Sequence, residues 1–74
     1  MTFNDHCTKQ GIELLREDIR FIKRCLLTIE RKDHRAILRE YANVWIKAMA
    51  NEPSELKKQG TARRQANLFL LELY

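Results

Sequence analysis

Six aliphatic residues between positions 12 and 29 recur at the spacing of a helix stripe, and no other feature constrains the fold as much. Ile12, Leu15, Ile19, Ile22, Leu26 and Ile29 are separated by 3, 4, 3, 4 and 3 residues, which is the heptad-type repeat of an amphipathic helix. Leu14, Phe21 and Cys25 flank the stripe and widen it, while Glu13, Arg16, Glu17, Arg20, Lys23 and Arg24 take the opposite face. Acids gather toward the start and bases toward the end, as the helix macrodipole favours. The spacing predicts a helix over about 8–31. So broad a stripe needs more than one neighbour and falls short of three heptads, so a helical bundle or intertwined dimer suits it better than a coiled coil.

The repeat lapses at "ERKDHRA", where its next positions are Asp33 and Ala36. Asp33 is a candidate N-cap for a second helix. A hairpin is favoured there over one long bent helix, although neither glycine nor proline marks the break. Ile37, Tyr41, Val44 and Ala48 form a strip with Leu38, Ala42, Trp45 and Met49 beside it, predicting a helix over 34–51. Pro53 ends it, because proline lacks an N–H and pushes Glu52 out of helical geometry. Ser54 can cap a third segment over 54–73. Gly60 either sits within that helix at a cost of about 1 kcal/mol or breaks it, with Thr61 as a fresh cap. Ala62, Ala66, Phe69, Leu70 and Leu73 give its last part a stripe. The expected fold is all-α: one domain over 1–74, a small bundle of three helices or four segments.

Length then bears on stability. A chain of 74 residues buries only about 60% of its unfolded surface, and small domains commonly need a staple or a partner. The two cysteines, Cys7 and Cys25, follow no secretory signal, so reduced thiols and a cytoplasmic setting are expected. No apolar run approaches the roughly 18 residues of a membrane span. Dimerisation is the expected remedy, drawing on Ile12, Leu15, Ile19, Ile22, Leu26, Tyr41, Trp45, Phe69 and Leu73. For Tyr41 and Trp45, four residues apart on one helix face, core packing is the favoured role and an interface the alternative. The final "LFLLELY" is too apolar to stand in water.

The net charge of +4 is unevenly placed: residues 1–30 hold five basic and five acidic side chains, residues 31–74 nine and five. The densest cluster is "KKQGTARRQ", with Lys57, Lys58, Arg63 and Arg64. Were a helix to start at Thr61, Arg63 and Arg64 would stand in its first turn beside unpaired N–H groups, an arrangement suited to a bound phosphate. The plainer reading is a solvated face with local ion pairs. A helix-turn-helix centred on Gly60 is disfavoured, because Glu55 and Gln59 fall where apolar residues should pack and Leu56 where a small one should.

Other chemistry has less support. His6, Cys7, Cys25 and His34 lack the paired spacing of a structural zinc site. No phosphate-binding glycine loop, nucleophile elbow or catalytic pairing is present, and the chain is short for a substrate cavity. No enzyme activity, cofactor, metal or small-molecule substrate is expected.

Residues 41–70 carry a resemblance. Tyr41 and Trp45, then Glu52-Pro53, Lys58-Gln59 and Arg63-Arg64-Gln65-Ala66-Asn67 resemble a pattern in short uncharacterised helical proteins of phages and prophages. The resemblance implies a lambdoid-type early or accessory gene product that binds a host or phage protein, or modulates transcription or recombination. It assigns no site residue and leaves the N-terminal half unplaced. The leading expectation is a non-enzymatic homodimer contacting another protein. The alternative is a DNA-associated regulator using the basic 57–64 segment on phosphates.

Overall fold

The computed structural model describes residues 2–73, and among them every regular element is helical. The order is α1 (Phe3–Lys9), α2 (Arg16–Leu26), α3 (Arg31–Asn51) and α4 (Lys58–Leu73). The single helix expected over 8–31 does not form. A short helix ends just past its start, a loop follows, and the true helix begins at Arg16.

Local chemistry accounts for the break. Thr2 and Asp5 close a capping box on α1: the Thr2 hydroxyl accepts from the Asp5 N–H at 3.1 Å, and the Asp5 carboxylate from the Thr2 N–H at 3.3 Å. At the other end Gly11 adopts φ +79°, the left-handed region that L side chains avoid. Its N–H donates to the Thr8 carbonyl and the Ile12 N–H to the Cys7 carbonyl, at 3.1 and 2.9 Å. This bond pair is the Schellman helix stop, with Gly11 just beyond the cap. The turn drops Ile12 into the core beside Cys7, and residues 12–15 run without regular structure. Ile12 is thus buried by a loop, and its match to the helical repeat is incidental.

α2 starts when the Leu15 N–H donates to the Asp18 carboxylate at 2.9 Å. Its buried residues, Asp18, Ile22 and Cys25, lie on one face at spacings of four and three. After Leu26 the chain turns, and the His34 ring staples that turn onto α3. Its Nε2 lies 3.0 Å from the Leu26 carbonyl and 2.8 Å from that of Ile29. Both partners are acceptors, so Nε2 carries the proton. The chain is therefore not one continuous helix here. α3 begins three residues earlier than expected, with Glu30 as its N-cap and Asp33 inside its first turn.

α3 and α4 form the dominant pair. Contacts linking Glu52 to Thr61 at one end and Tyr41 to Asn67 at the other show that they run antiparallel. The buried α3 residues include Tyr41 and Trp45, and those of α4 are Ala62, Ala66 and Leu70. Small side chains on α4 thus let the two aromatics lie flush against it. α4 starts later than expected, after a turn over 55–57, and runs through Gly60 without interruption. Thr61 caps nothing, and Arg63 and Arg64 lie in the second helical turn. α2 packs on α4, and the radius of gyration, 11.8 Å, is close to the roughly 11 Å expected of a compact chain this long. Among the described residues no helix is long and apolar enough to cross a membrane.

Candidate functional site

The basic segment 57–64 divides into inward and outward residues. Gln59 and Arg63, one turn apart on α4, point inward and tie the N-terminal third to the α3–α4 pair. The Gln59 amide donates from Nε2 to the Gly11 carbonyl at 2.9 Å. Its Oε1 accepts from the Trp45 indole at 3.0 Å and from the Glu13 N–H at 3.1 Å. Arg63 donates from Nε to Asp18 at 2.7 Å and from a terminal nitrogen to the Glu13 carbonyl at 2.8 Å. Its guanidinium also lies 5.2 Å from the centre of the Trp45 ring, within cation–π range.

Asp18 is only 3% exposed, and a carboxylate so buried is tolerable only when paired and hydrogen-bonded. Arg63 and the Leu15 N–H supply those partners. Among the described residues no buried side-chain nitrogen or oxygen is left unsatisfied. Of the four cations expected at a phosphate site, Arg63 is therefore held internally, and Lys58 pairs with Glu55 at 2.7 Å. Lys57 and Arg64 stand exposed.

The residues expected at an interface are likewise dispersed. Ile12, Ile22, Tyr41 and Trp45 are filled on all sides by this chain's own core. Ile19, Leu26 and Phe69 are half-buried, whereas Leu15 and Leu73 are 50% and 46% exposed. Leu68 and Leu71, three residues apart on α4, join them at 46% and 52%. Tyr41 donates its hydroxyl to Asn67 at 2.9 Å. Burial above all raises its pKa, Asp18 adding to the rise and Arg63 opposing it. Burial also pushes the Cys7 thiol up to about 11 and raises that of Cys25, with Arg24 opposing. Both thiols are free and buried. Among the described residues no cluster of histidine, cysteine and carboxylate side chains is arranged to hold a metal ion.

Among the grooves that indent the surface, two lie against α3. One, of about 360 Å3, lies between α3 and α4 and is lined by Val44, Lys47, Ala48, Thr61 and Gln65 among others. The other, of about 610 Å3, lies between the start of α1 and the first half of α3; its walls include Phe3, His6, Arg31, His34, Arg35 and Arg39. Sequence reasoning passed over the Arg31, Arg35 and Arg39 row and over Asp18, weighed His6 and His34 only as zinc ligands, and gave Gln59 and Asn67 no binding role. A usable signal existed for the groove alone, since Arg31, Arg35 and Arg39 repeat at spacing four on one helix face.

Comparison of this chain with protein-family models, with curated proteins and with solved structures finds no match.

Proposed function

We propose that this chain is a non-enzymatic binding protein of the phage accessory type, which self-associates as a homodimer and contacts another protein. One observation carries the reading. Leu68 and Leu71 form an outward pair on α4, each about half exposed, while the core beneath is already closed. Apolar side chains grouped on a polar surface mark interaction sites more often than chance placement does. Leucines spaced three apart on a helix suit packing against a second helix. The dimer seam therefore runs along the outer face of α4, away from the Tyr41–Trp45 aromatics. The test is light scattering at roughly tens of micromolar protein. A mass near twice the single-chain 8.9 kDa, reduced to one chain by Leu68→Lys with Leu71→Lys, is the expected result. A single-chain mass for the unmodified protein refutes the dimer.

The alternative, DNA contact through Lys57, Lys58, Arg63 and Arg64, draws on fewer free cations than the sequence offers, because Arg63 and Lys58 already have partners. It retains Lys57 and Arg64. Replacing both with glutamine leaves DNA affinity unchanged if the segment is a connector, and weakens it if the segment is a site.

A further inference from the structure

We propose that the groove between α1 and the first half of α3 binds the phosphate backbone of a nucleic acid strand. This site is distinct from the 57–64 segment and from the α4 leucine pair. Its walls are Thr2, Phe3 and His6 from the N-terminal segment, and Arg31, His34, Arg35, Leu38 and Arg39 from α3. Three guanidinium groups and two imidazoles line it, and no carboxylate does.

Of the acids nearest the arginine row in sequence, Asp33 and Glu40 lie on the opposite face of α3 at 100° per residue, and two others are committed elsewhere. Asp5 closes the α1 capping box with Thr2, and Glu30 pairs with Lys32 at 3.3 Å. Among the described residues Arg31, Arg35 and Arg39 take part in no ion pair, and all three are exposed. Like charges three and four apart on a helix repel one another. Arg31 also stands in the first turn of α3, whose N-terminus has no side-chain cap and is itself electropositive. A local field this one-sided is relieved by a bound anion, and the guanidinium fork matches phosphate oxygens two at a time.

The geometry selects the kind of anion. Arg31, Arg35 and Arg39 are spaced one turn apart, so their backbones span about 12 Å along the axis. A lone phosphate reaches at most adjacent members of that row. A ligand with negative charges repeated along its length engages all three. Phe3 and the two imidazoles separate a nucleic acid from an acidic peptide, because a basic groove with flat rings suits a strand whose bases can stack. Phe3 is partly exposed and held edge-on against Tyr41, with ring centres 6.3 Å apart, so its position is set by the core. His34 is oriented as well: Nε2–H is spent on two backbone carbonyls, leaving Nδ1 as an acceptor that suits a base N–H rather than a phosphate oxygen.

The test measures fluorescence anisotropy of a labelled oligothymidylate about 12 nucleotides long, within the length that small single-strand modules cover. It compares the unmodified protein, Arg31→Gln/Arg35→Gln/Arg39→Gln, and Lys57→Gln/Arg64→Gln across roughly 50–200 mM salt. Glutamine keeps the helix propensity of arginine, and circular dichroism verifies the fold of each variant. Each phosphate contact contributes about 0.7 to the log–log salt slope on single strands. The triple arginine variant should therefore lose about 2 from that slope together with most of its affinity, while the Lys57/Arg64 variant retains both. Absence of binding by the unmodified protein at low salt overturns the proposal, as does binding that the triple variant leaves intact. A labelled polyglutamate peptide that binds as tightly as the oligonucleotide, with the same arginine dependence, also overturns it in favour of an acidic protein partner. Duplex DNA of equal length, run alongside, shows which form of the strand the groove prefers.

Discussion

Arg63 and Arg64 are adjacent in sequence and identical in chemistry, yet replacing them with alanine should have very unequal consequences for stability. Arg64 is exposed, and a surface change of this kind stays within about 0.5 kcal/mol. Arg63 neutralises Asp18, which is 3% exposed, and also binds the Glu13 carbonyl and covers Trp45. Removing one partner of a buried pair costs about 3–5 kcal/mol, because the remaining charge is stranded. The Arg63 side chain is itself 24% exposed, so water can reach the pair and the lower end applies, about 3 kcal/mol. A domain of this size has roughly 5–10 kcal/mol in total, so the loss is a large share. Urea unfolding followed by Trp45 fluorescence measures it as a fall in midpoint at unchanged slope. A double variant, Asp18→Leu with Arg63→Met, removes both charges and should recover part of the loss, since no charge is then stranded, while the Leu15 N–H and the Glu13 carbonyl still lose their partners. Should Arg63→Ala shift the midpoint no more than Arg64→Ala, the clamp contributes nothing and the reasoning fails.

The two glycines give a second contrast. A Cβ at either position would meet nothing within 4 Å, so only the backbone decides. Gly11→Ala should cost about 1–2 kcal/mol at its left-handed φ, whereas Gly60→Ala inside α4 should gain about 0.5–1 kcal/mol; both are read from thermal midpoints, and equal effects refute the assignment. Stability should fall above about pH 9, because Cys7, whose ordinary value is 9.0, is held near 11 in the folded chain, and Cys25 and Tyr41 are raised in the same direction. The unfolded thiol and phenol ionise first, so their contribution is complete below their ordinary values and is lost as pH rises toward the folded ones; a urea midpoint unchanged between pH 8 and 11 contradicts this. Tyr41→Phe should cost about 1 kcal/mol or more by leaving Asn67 without its donor, and an unaltered melting curve would show that bond to be idle.

Helical content was legible because α3 and the second half of α4 carry unbroken apolar strips. The aromatics Tyr41 and Trp45 fell where the strip placed them, in the interior. The N-terminal third was misread because periodicity cannot see a loop that happens to keep the phase. Ile12 and Leu15 continue the repeat backward from α2, yet one is buried from a loop and the other is the N-cap of that helix. Gly11 was the stronger signal, and with Thr2 and Asp5 it outlines a short capped helix. Gly60 shows the reverse: its roughly 1 kcal/mol cost is outweighed by the packing of Ala62, Ala66 and Leu70 against α3, so the helix runs on through it. The clamp was not legible. Gln59 and Arg63 bond to residues 45–50 positions away, and no spacing rule links such partners.

The clamp and the basic groove are connected through the N-terminal segment. α1 is seven residues long, too short to persist alone in water, so its placement depends on what holds its two ends. Phe3 rests on Tyr41, and Cys7 and Ile12 enter the core. On either side of Ile12 the Gly11 carbonyl and Glu13 are tied to Gln59 and Arg63. The wall of the groove that carries Phe3 and His6 is therefore positioned by contacts on the far side of α1, at α4. Gln59→Ala removes the partner of the Trp45 indole and of the Gly11 carbonyl and should cost about 1–3 kcal/mol through the unsatisfied buried donor. It touches no groove residue. If the clamp sets the groove wall, amide hydrogen exchange in residues 3–9 should rise in Gln59→Ala well before the α3–α4 pair loosens. Exchange that rises uniformly over all four helices would mean instead that the N-terminal segment and the helical pair open as one unit, with Gln59 one contact among many in a single cooperative core.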